Sequence, residues 1–192
     1  DKLPFKDIDG HWAMTGIKYV YEHDLMNGIG DTTFAPDETL NRAMLATIIY
    51  RLAGSPAITA STSAGDSAVT KYTDVADGTW YTNAVIWASE NGLVNGYGDG
   101  TFRPDAKITR QELAAMLYRY SQFKNYDVTK LNDLAGYTDK DEIGAWAMDS
   151  LKWANAEQLV KGRTDTAIVP AGTATRAEAA TILMRFAENV AK

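Results

Sequence analysis

The sequence predicts an all-α fold in which one two-helix unit occurs three times. A helix-start motif centred on an arginine recurs at two nearly equal intervals, at Arg42, Arg110 and Arg176. Other residue types recur at the same intervals, which chance does not produce. Because two amphipathic helices bury little apolar surface alone, the three units must share a core. We expect a compact pseudo-threefold body with the second helices near the axis, and an open solenoid is the alternative.

Six further sets of residues support the repeat, since each holds one similar residue per unit. These sets are Trp12, Trp80 and Trp146; Leu25, Leu93 and Leu159; Gly28, Gly96 and Gly162; Phe34, Phe102 and Ile168; Pro36, Pro104 and Pro170; and Arg51, Arg119 and Arg185.

The predicted organisation has three repeats and two linkers. It comprises repeat 1 (1–54), a Ser/Thr/Ala-rich linker (55–71), repeat 2 (72–122), a second linker (123–136) and repeat 3 (137–192). We expect the first linker to be a mobile loop, and the second to contain a short helix over 127–134.

The second helix of each repeat carries the clearest start signal. Thr109 is a predicted N-cap, and Glu112 is expected to reach back to the backbone N–H of Thr109, which makes a capping box. Repeat 1 keeps only half of this motif, because Asn41 can cap the helix but Met44 replaces the glutamate. Helical spacing predicts a buried face made of Leu113, Met116, Leu117 and Tyr120.

The first helix of each repeat is predicted to begin near the repeated tryptophan and to end at a segment with glycine. An aromatic-x-Asp turn precedes each helix. The aspartates of these turns are Asp7, Asp74 and Asp139.

Composition narrows the class of protein. With 192 residues and 45% hydrophobic residues, the chain can build a real core. A formal charge of −6 argues against a general nucleic-acid binder. The absence of cysteine excludes disulfides, thiol catalysis and thiolate zinc sites. No apolar run approaches the length of a membrane span, and no signal peptide is recognisable, so an exported protein would contain this chain as a mature or excised segment.

The three helix-start arginines are the candidate binding residues. A helix N-terminus presents unpaired N–H groups, and a guanidinium adds planar recognition of a carboxylate or phosphate. One interpretation is therefore an anion pocket that is formed up to three times. The other is that each arginine pairs with a carboxylate of an adjoining unit, such as Asp7, Asp74 or Asp139.

The repeated tryptophans and glycines also have two interpretations each. Trp12, Trp80 and Trp146 are either core anchors, as the burial of most aromatic side chains favours, or walls of a groove on which a sugar stacks. The glycines are most simply helix terminators, or they let a ligand approach backbone N–H groups. They are Gly28, Gly96 and Gly162.

No pattern in the sequence favours a metal, a cofactor or catalysis. The aspartates of the loops lack the twelve-residue calcium-loop spacing. His11 and His23 do not recur and lack partners at the spacing of a metal site or a triad.

Taken together, three motifs resemble the S-layer homology domain over nearly the whole chain. They are the Phe-x-Asp turn followed by a tryptophan, the Gly-x-Gly-Asp-Gly-x-Phe-x-Pro loop and the Thr-Arg-Ala-Glu helix start, as found at 5–7, 96–104 and 175–178. The resemblance implies a pseudo-trimer with a central three-helix bundle and grooves between neighbouring repeats. It also implies non-covalent anchoring of an exported protein to the bacterial cell wall or S-layer, through a secondary cell wall polysaccharide with a pyruvate ketal.

The residues that the resemblance assigns to the ligand are the repeated ones. They are Arg42, Arg110 and Arg176; Trp12, Trp80 and Trp146; and Gly28, Gly96 and Gly162. Asp7, Asp74 and Asp139 are added as candidates whose side chains would bond to the sugar hydroxyls. We expect the ketal carboxylate to contact an arginine and helix-start N–H groups, with the sugar ring on an aromatic or aliphatic wall. Arg110 lies in the best-preserved repeat and is the first candidate.

Two other functions remain open at this point. The chain could be a protein–protein module that self-associates in a surface lattice, or part of a glycan-processing enzyme whose catalytic domain lies outside this segment. In each case, lattice or cargo domains are expected in the full-length protein, with no nucleic acid, membrane insertion or cofactor.

Overall fold

Helices and connecting loops form the part of the chain that the computed structural model describes, residues 2–58 and 71–192. These residues contain isolated β-bridges but no β-strand. The α-helices are α1 (Met14–Glu22), α2 (Arg42–Leu52), α3 (Thr82–Glu90), α4 (Arg110–Phe123), α5 (Met148–Ala156) and α6 (Arg176–Asn189). Two 3₁₀ helices, Lys140–Glu142 and Ala145–Ala147, precede α5. The prediction of a helical fold with two main helices per repeat is confirmed.

The chain divides into two compact units, Asn41–Lys107 and the combination of Asp1–Leu40 with Ile108–Lys192. In the first of these units, α2 packs against α3. In the other, α4 packs against α5, and α6 packs against α1. Every pair therefore joins the second helix of one repeat to the first helix of another. The pseudo-threefold arrangement and the central three-helix bundle stay predictions.

The helix starts are capped by the residues that the sequence predicts, with one difference. The side chains of Asn41, Thr109 and Thr175 accept hydrogen bonds from the backbone N–H three residues on. However, Oε1 of Glu112 accepts a 3.0 Å hydrogen bond from the Thr109 hydroxyl, whereas the sequence predicts a bond from the backbone N–H. The reciprocal half of the capping box is thus made through the side chain.

The predicted helix faces are buried. The α4 face is fully enclosed, and so are the two loop phenylalanines and the isoleucine that replaces them in repeat 3. The first helices begin two residues after the repeated tryptophans, and all three tryptophans are largely exposed, with 55–65% of their surface accessible. Their interpretation as core anchors is therefore wrong.

Residues 127–134 form no helix, which corrects that prediction. The Asp127 carboxylate accepts hydrogen bonds from both the backbone N–H and the hydroxyl of Thr129. The N–H of Asn132 donates to the carbonyl of Lys152 in α5. These two backbone N–H groups are therefore bound to a side chain and to a distant carbonyl in place of helical acceptors. Most of the predicted mobile loop, residues 59–70, lies outside the described residues.

Candidate functional site

Each helix-start arginine fastens a loop that belongs to another repeat. The loops concerned are loop 1 (27–36), loop 2 (95–104) and loop 3 (161–170), which connect the two helices within each repeat. Arg42 contacts loop 2, Arg110 contacts loop 3, and Arg176 contacts loop 1. We name the three places the Arg42, Arg110 and Arg176 sites.

The three guanidiniums make the same pair of bonds to backbone carbonyls. In the Arg42 site, Nε donates to the carbonyl of Phe102 at 2.8 Å, and Nη2 donates to that of Asn95 at 2.7 Å. The corresponding acceptors are Ile168 and Lys161 for Arg110, and Phe34 and Asn27 for Arg176. The arginines thus hold the loops in place by binding their backbone carbonyls. Neither of the two interpretations from the sequence includes this role.

The backbone N–H groups at the helix starts are also occupied. In α4, the N–H of Arg110 donates to the carbonyl of Gly172 at 2.8 Å, and the N–H of Gln111 donates to that of Pro170 at 3.0 Å. The corresponding groups of α2 and α6 have equivalent acceptors. Because the N-cap side chain takes the next N–H, these amides are not available to a ligand, and that part of the predicted anion pocket is wrong.

The repeated aspartates also hold the loops in place, by accepting hydrogen bonds from loop backbone N–H groups. The carboxylate of Asp74 accepts from the backbone N–H groups of Phe102 and Arg103, both at 2.8 Å. Asp7 and Asp139 hold loops 1 and 3 in the same way. Among the described residues, Asp74 forms no ion pair with Arg42, and Asp139 forms none with Arg110. Arg110 instead pairs with Glu178 of repeat 3 at 3.6 Å, so the interpretation of a carboxylate partner from an adjoining unit is confirmed at this site, through a glutamate.

The hydrogen bonds of Asp7 and Asp139 predict that the protein loses stability in acid. Burial alone would raise the pKa of Asp7 and of Asp139, but the backbone N–H bonds outweigh it, and both pKa values lie below the ordinary 3.8. A lowered folded-state pKa gives stability that is present above the unfolded pKa and is lost as the pH falls through the folded one. We expect the free energy of unfolding to decline below about pH 4, and to decline less steeply in a variant with Asp7→Asn and Asp139→Asn. Urea unfolding at pH 6 and pH 3 measures the loss of unfolding free energy in the unaltered protein and in the variant. Equal losses in the two proteins would contradict this prediction.

The repeated glycines make room for the aromatic residue that opens each repeat. A Cβ on Gly96 would lie 2.5 Å from Cε1 of Tyr72 and 2.7 Å from the carbonyl oxygen of Thr101. Gly28 faces Phe5 in the same way, and Gly162 faces Tyr137. None of the three glycines has the positive φ of a helix terminator, so that interpretation is wrong. Gly92, at the end of α3, does have it (φ 68°).

The Arg42 site has the most open cationic surface. Arg42 is only half-buried, whereas Arg110 and Arg176 are buried. Its Cζ lies 4.9 Å from the ring centre of Tyr97, an exposed residue, and the Cζ of Arg103 lies 3.9 Å from the same ring. Among the described residues of its own unit, 41–58 and 71–107, Arg42 has no carboxylate at ion-pair distance. Since two of its five N–H donors hold loop 2, the others remain for a ligand.

The carboxylate of Asp99 lies beside this surface. Hydrogen bonds from the Thr101 hydroxyl and backbone N–H, together with Arg103, lower the pKa of Asp99 to about 2. Its Oδ2 lies 3.2 Å from Nη2 of Arg103. The group of Arg42, Arg103 and Asp99 therefore carries a net positive charge at neutral pH.

The Arg110 and Arg176 sites differ from this arrangement. Nη1 of Arg110 lies 3.6 Å from Oε2 of Glu178, which also pairs with Arg163. Burial lowers the pKa of Arg176, while the negative charges of Glu38 and Asp7 oppose the change. Ile29, at the position of Tyr97 in loop 1, is exposed.

The remaining predicted residues keep their status as candidates. The three tryptophans are accessible as a sugar-stacking surface would require, and their ring contacts are with sequence neighbours, His11 for Trp12 and Tyr81 for Trp80. Sequence reasoning missed Tyr97 and Arg103. Tyr97 aligns with Ile29 and Arg163 in the other two loops, and this difference between otherwise similar loops is the sequence signal that could have identified Tyr97.

Metal and membrane sites have no support in the described part of the chain. Residues 2–58 and 71–192 contain no group of three or more histidine or acidic side chains that could hold a metal ion. None of the helices described there has both the length and the apolar character that spanning a membrane requires.

Comparison with known proteins identifies one family that matches most of the chain. The S-layer homology domain family matches the chain at residues 4–44, 71–114 and 136–180. An amylopullulanase of Thermoanaerobacterium thermosulfurigenes is 31% identical over 186 residues, which cover 96% of this chain and 10% of that protein. A cellulosome-anchoring protein of Acetivibrio thermocellus is 36% identical over 118 residues, which cover 61% of this chain and 26% of that protein.

A surface-layer 125 kDa protein of Lysinibacillus sphaericus is also similar. It is 27% identical over 189 residues, which cover 97% of this chain and 15% of that protein. The chain thus spans about a quarter or less of the length of these three relatives.

Proposed function

Because the chain belongs to the S-layer homology domain family, we propose that it anchors a larger protein non-covalently to an acidic secondary cell wall polysaccharide, with the Arg42 site as its principal contact. The domain is a cell-wall anchoring module. Family membership and the surface-layer relatives indicate a location at the bacterial cell wall and S-layer. We further propose that the full-length protein contains cargo or lattice domains outside this chain.

One observation carries this proposal: the Arg42 guanidinium has donors left over beside an exposed aromatic ring and a second arginine. A carboxylate such as a pyruvate ketal would bind the free edge of Arg42, with Arg103 adding positive charge. The sugar ring would pack on Tyr97, as sugars do on aromatic faces, and the exposed Trp80 remains a candidate wall. Loop 2 is also the loop that retains every glycine of its motif.

A charge-assisted hydrogen bond of this kind contributes about 1.5–3 kcal/mol, so one site binds weakly. Long polymers could engage more than one repeat, which raises the avidity through effective concentration. Short polymer fragments are therefore the correct probe for a single site.

Replacing Arg42 by alanine tests the proposal. We expect the affinity for short pyruvylated fragments to fall roughly 10- to 100-fold, because the charged contact is lost. Isothermal titration measures this, with Arg51→Ala as the control, since that change removes an arginine from the last turn of the same helix. Tyr97→Ala, which leaves the loop-fastening bonds in place, should also weaken binding. Equal affinities of the Arg42 and Arg51 variants would remove Arg42 from the site.

Depyruvylated fragments distinguish the ligand group. They should bind the unaltered protein as weakly as pyruvylated fragments bind the Arg42→Ala variant. If light scattering instead showed concentration-dependent assembly with no polymer binding, the self-association module would be the better function.

A further inference from the structure

The Arg110 site already contains a carboxylate of the protein itself. Oε2 of Glu178 lies 3.6 Å from Nη1 of Arg110, and Oε1 lies 3.2 Å from Nη2 of Arg163. Glu178 is about four-fifths buried, and its Oε2 is completely enclosed without a hydrogen-bond donor in the described part of the chain. A carboxylate held between two guanidiniums occupies the place that an acidic ligand would take.

We propose that Glu178 is a built-in competitor that fills the anion position of the Arg110 site and closes this site to acidic saccharides. The inference rests on the proposed function for its biological meaning, and on the Glu178 geometry for its physical basis. A second carboxylate beside Glu178 would meet like-charge repulsion in a partly buried place, and it would compete with a group that is tethered to the chain.

Comparison with α4 shows that this is not simply what a first-turn glutamate does. In α4, Oε1 of Glu112 accepts a hydrogen bond from the N-cap hydroxyl of Thr109. In α6, the Thr175 hydroxyl accepts from the backbone N–H of Glu178, while the Glu178 carboxylate is directed to Arg110 and Arg163. The same motif therefore places its carboxylate in two different ways.

Arg163 accounts for the difference. It stands in loop 3 at the position that Tyr97 holds in loop 2 and Ile29 holds in loop 1. Its Nη2 donates both to the carbonyl of Thr173 at 2.5 Å and to Glu178, so its guanidinium is fixed where it attracts that carboxylate. Closure of a site by an internal ion pair therefore requires both an arginine at this loop position and a glutamate in the first turn of the helix, and repeat 3 supplies both.

Nuclear magnetic resonance of the arginine Nε–H groups can test the inference one site at a time. Each of the three Nε–H groups donates to a loop carbonyl at 2.8–3.0 Å, which favours slow exchange and an observable signal. The probe is 2,2-dimethoxypropanoate, a small carboxylate on a ketal carbon. In the unaltered protein, we expect the Arg42 signal to respond to the probe and the Arg110 signal to be unaffected.

In Glu178→Gln, the Arg110 signal should respond with an affinity at least about tenfold higher than in the unaltered protein. Glu112→Gln is the control and should leave Arg110 unresponsive. Arg163→Tyr provides a second variant, which should release Glu178 and partly open the site. The inference is overturned if Arg110 responds equally with and without Glu178, or if it responds in neither variant.

The proposed function and the inference about Glu178 can fail independently of each other. If short wall-polymer fragments fail to bind the unaltered protein while Arg110 of Glu178→Gln responds to the probe, the proposed ligand is wrong and Glu178 still closes an anion site. If the fragments bind in an Arg42-dependent way but Glu178→Gln opens nothing, only the inference about Glu178 fails.

Discussion

Replacing Phe34 by alanine is expected to lower the free energy of unfolding by about 3–5 kcal/mol. Its side chain is completely buried, its ring centre lies 5.3 Å from that of Phe5, and the guanidinium of Arg176 lies 4.6 Å from the ring centre. Truncation removes all this contact and leaves a cavity beneath loop 1. Urea unfolding, followed by far-ultraviolet circular dichroism, measures the change.

Repeat 3 supplies the control for this substitution. Ile168 holds the corresponding position in loop 3 and is just as completely buried. Phe34→Ile should therefore cost much less than Phe34→Ala, about 1.5 kcal/mol or less if the surrounding side chains repack. Equal losses in the two variants would show that the aromatic ring itself, and not the filled volume, holds the loop.

Replacing Arg176 by methionine is the second large effect. Nε donates to the carbonyl of Phe34 at 2.9 Å and Nη2 to that of Asn27 at 2.6 Å, with the guanidinium almost fully buried. Methionine keeps much of the volume but leaves both carbonyls without these donors. Each unsatisfied group costs about 1–3 kcal/mol, and relief of the buried charge offsets part of this, so we expect a loss of about 2–5 kcal/mol.

Arg185 gives a matched control, since it is an arginine of the same helix that is only half-buried. Arg185→Met should change the free energy of unfolding by about 0.5 kcal/mol or less. Hydrogen exchange in loop 1 distinguishes local from global loss. A stable Arg176→Met variant with unchanged protection in residues 27–36 would contradict the role of Arg176 as the fastener of loop 1.

The sequence was sufficient to predict local structure because local rules govern it. The N-caps at Asn41, Thr109 and Thr175 follow from side-chain oxygens placed before an apolar helix, and the buried loop anchors follow from large apolar residues at equal intervals. The repeat itself required only the comparison of the chain with itself.

The assignment of arginines to loops could not be predicted in this way. Equal spacing says that Arg42, Arg110 and Arg176 are equivalent, but it does not say which copy of the loop each side chain reaches. The structure connects Arg42 to loop 2, so the best-preserved loop is served by the repeat with the weakest helix-start motif. Arg110 serves the degenerate loop 3, and we therefore propose Arg42 in its place as the first binding residue.

The repeat pattern also could not predict which of the aromatic residues are buried. Trp153 is completely buried in α5, whereas Trp146, just before the same helix, is exposed. Residue type alone predicts burial for both. What separates them is position: Trp153 lies on the buried face of α5, whereas Trp146 precedes the helix.

The packing of α6 against α1 has a consequence for the evolution of the chain. Loss of the third repeat by recombination between the tandem copies would remove both α5 and α6, and would leave α4 and α1 without the helices that pack against them. A cyclic reordering of the three repeats would, in contrast, preserve every helix pair. Such genes should therefore tolerate permutation of their copies more readily than a change in copy number.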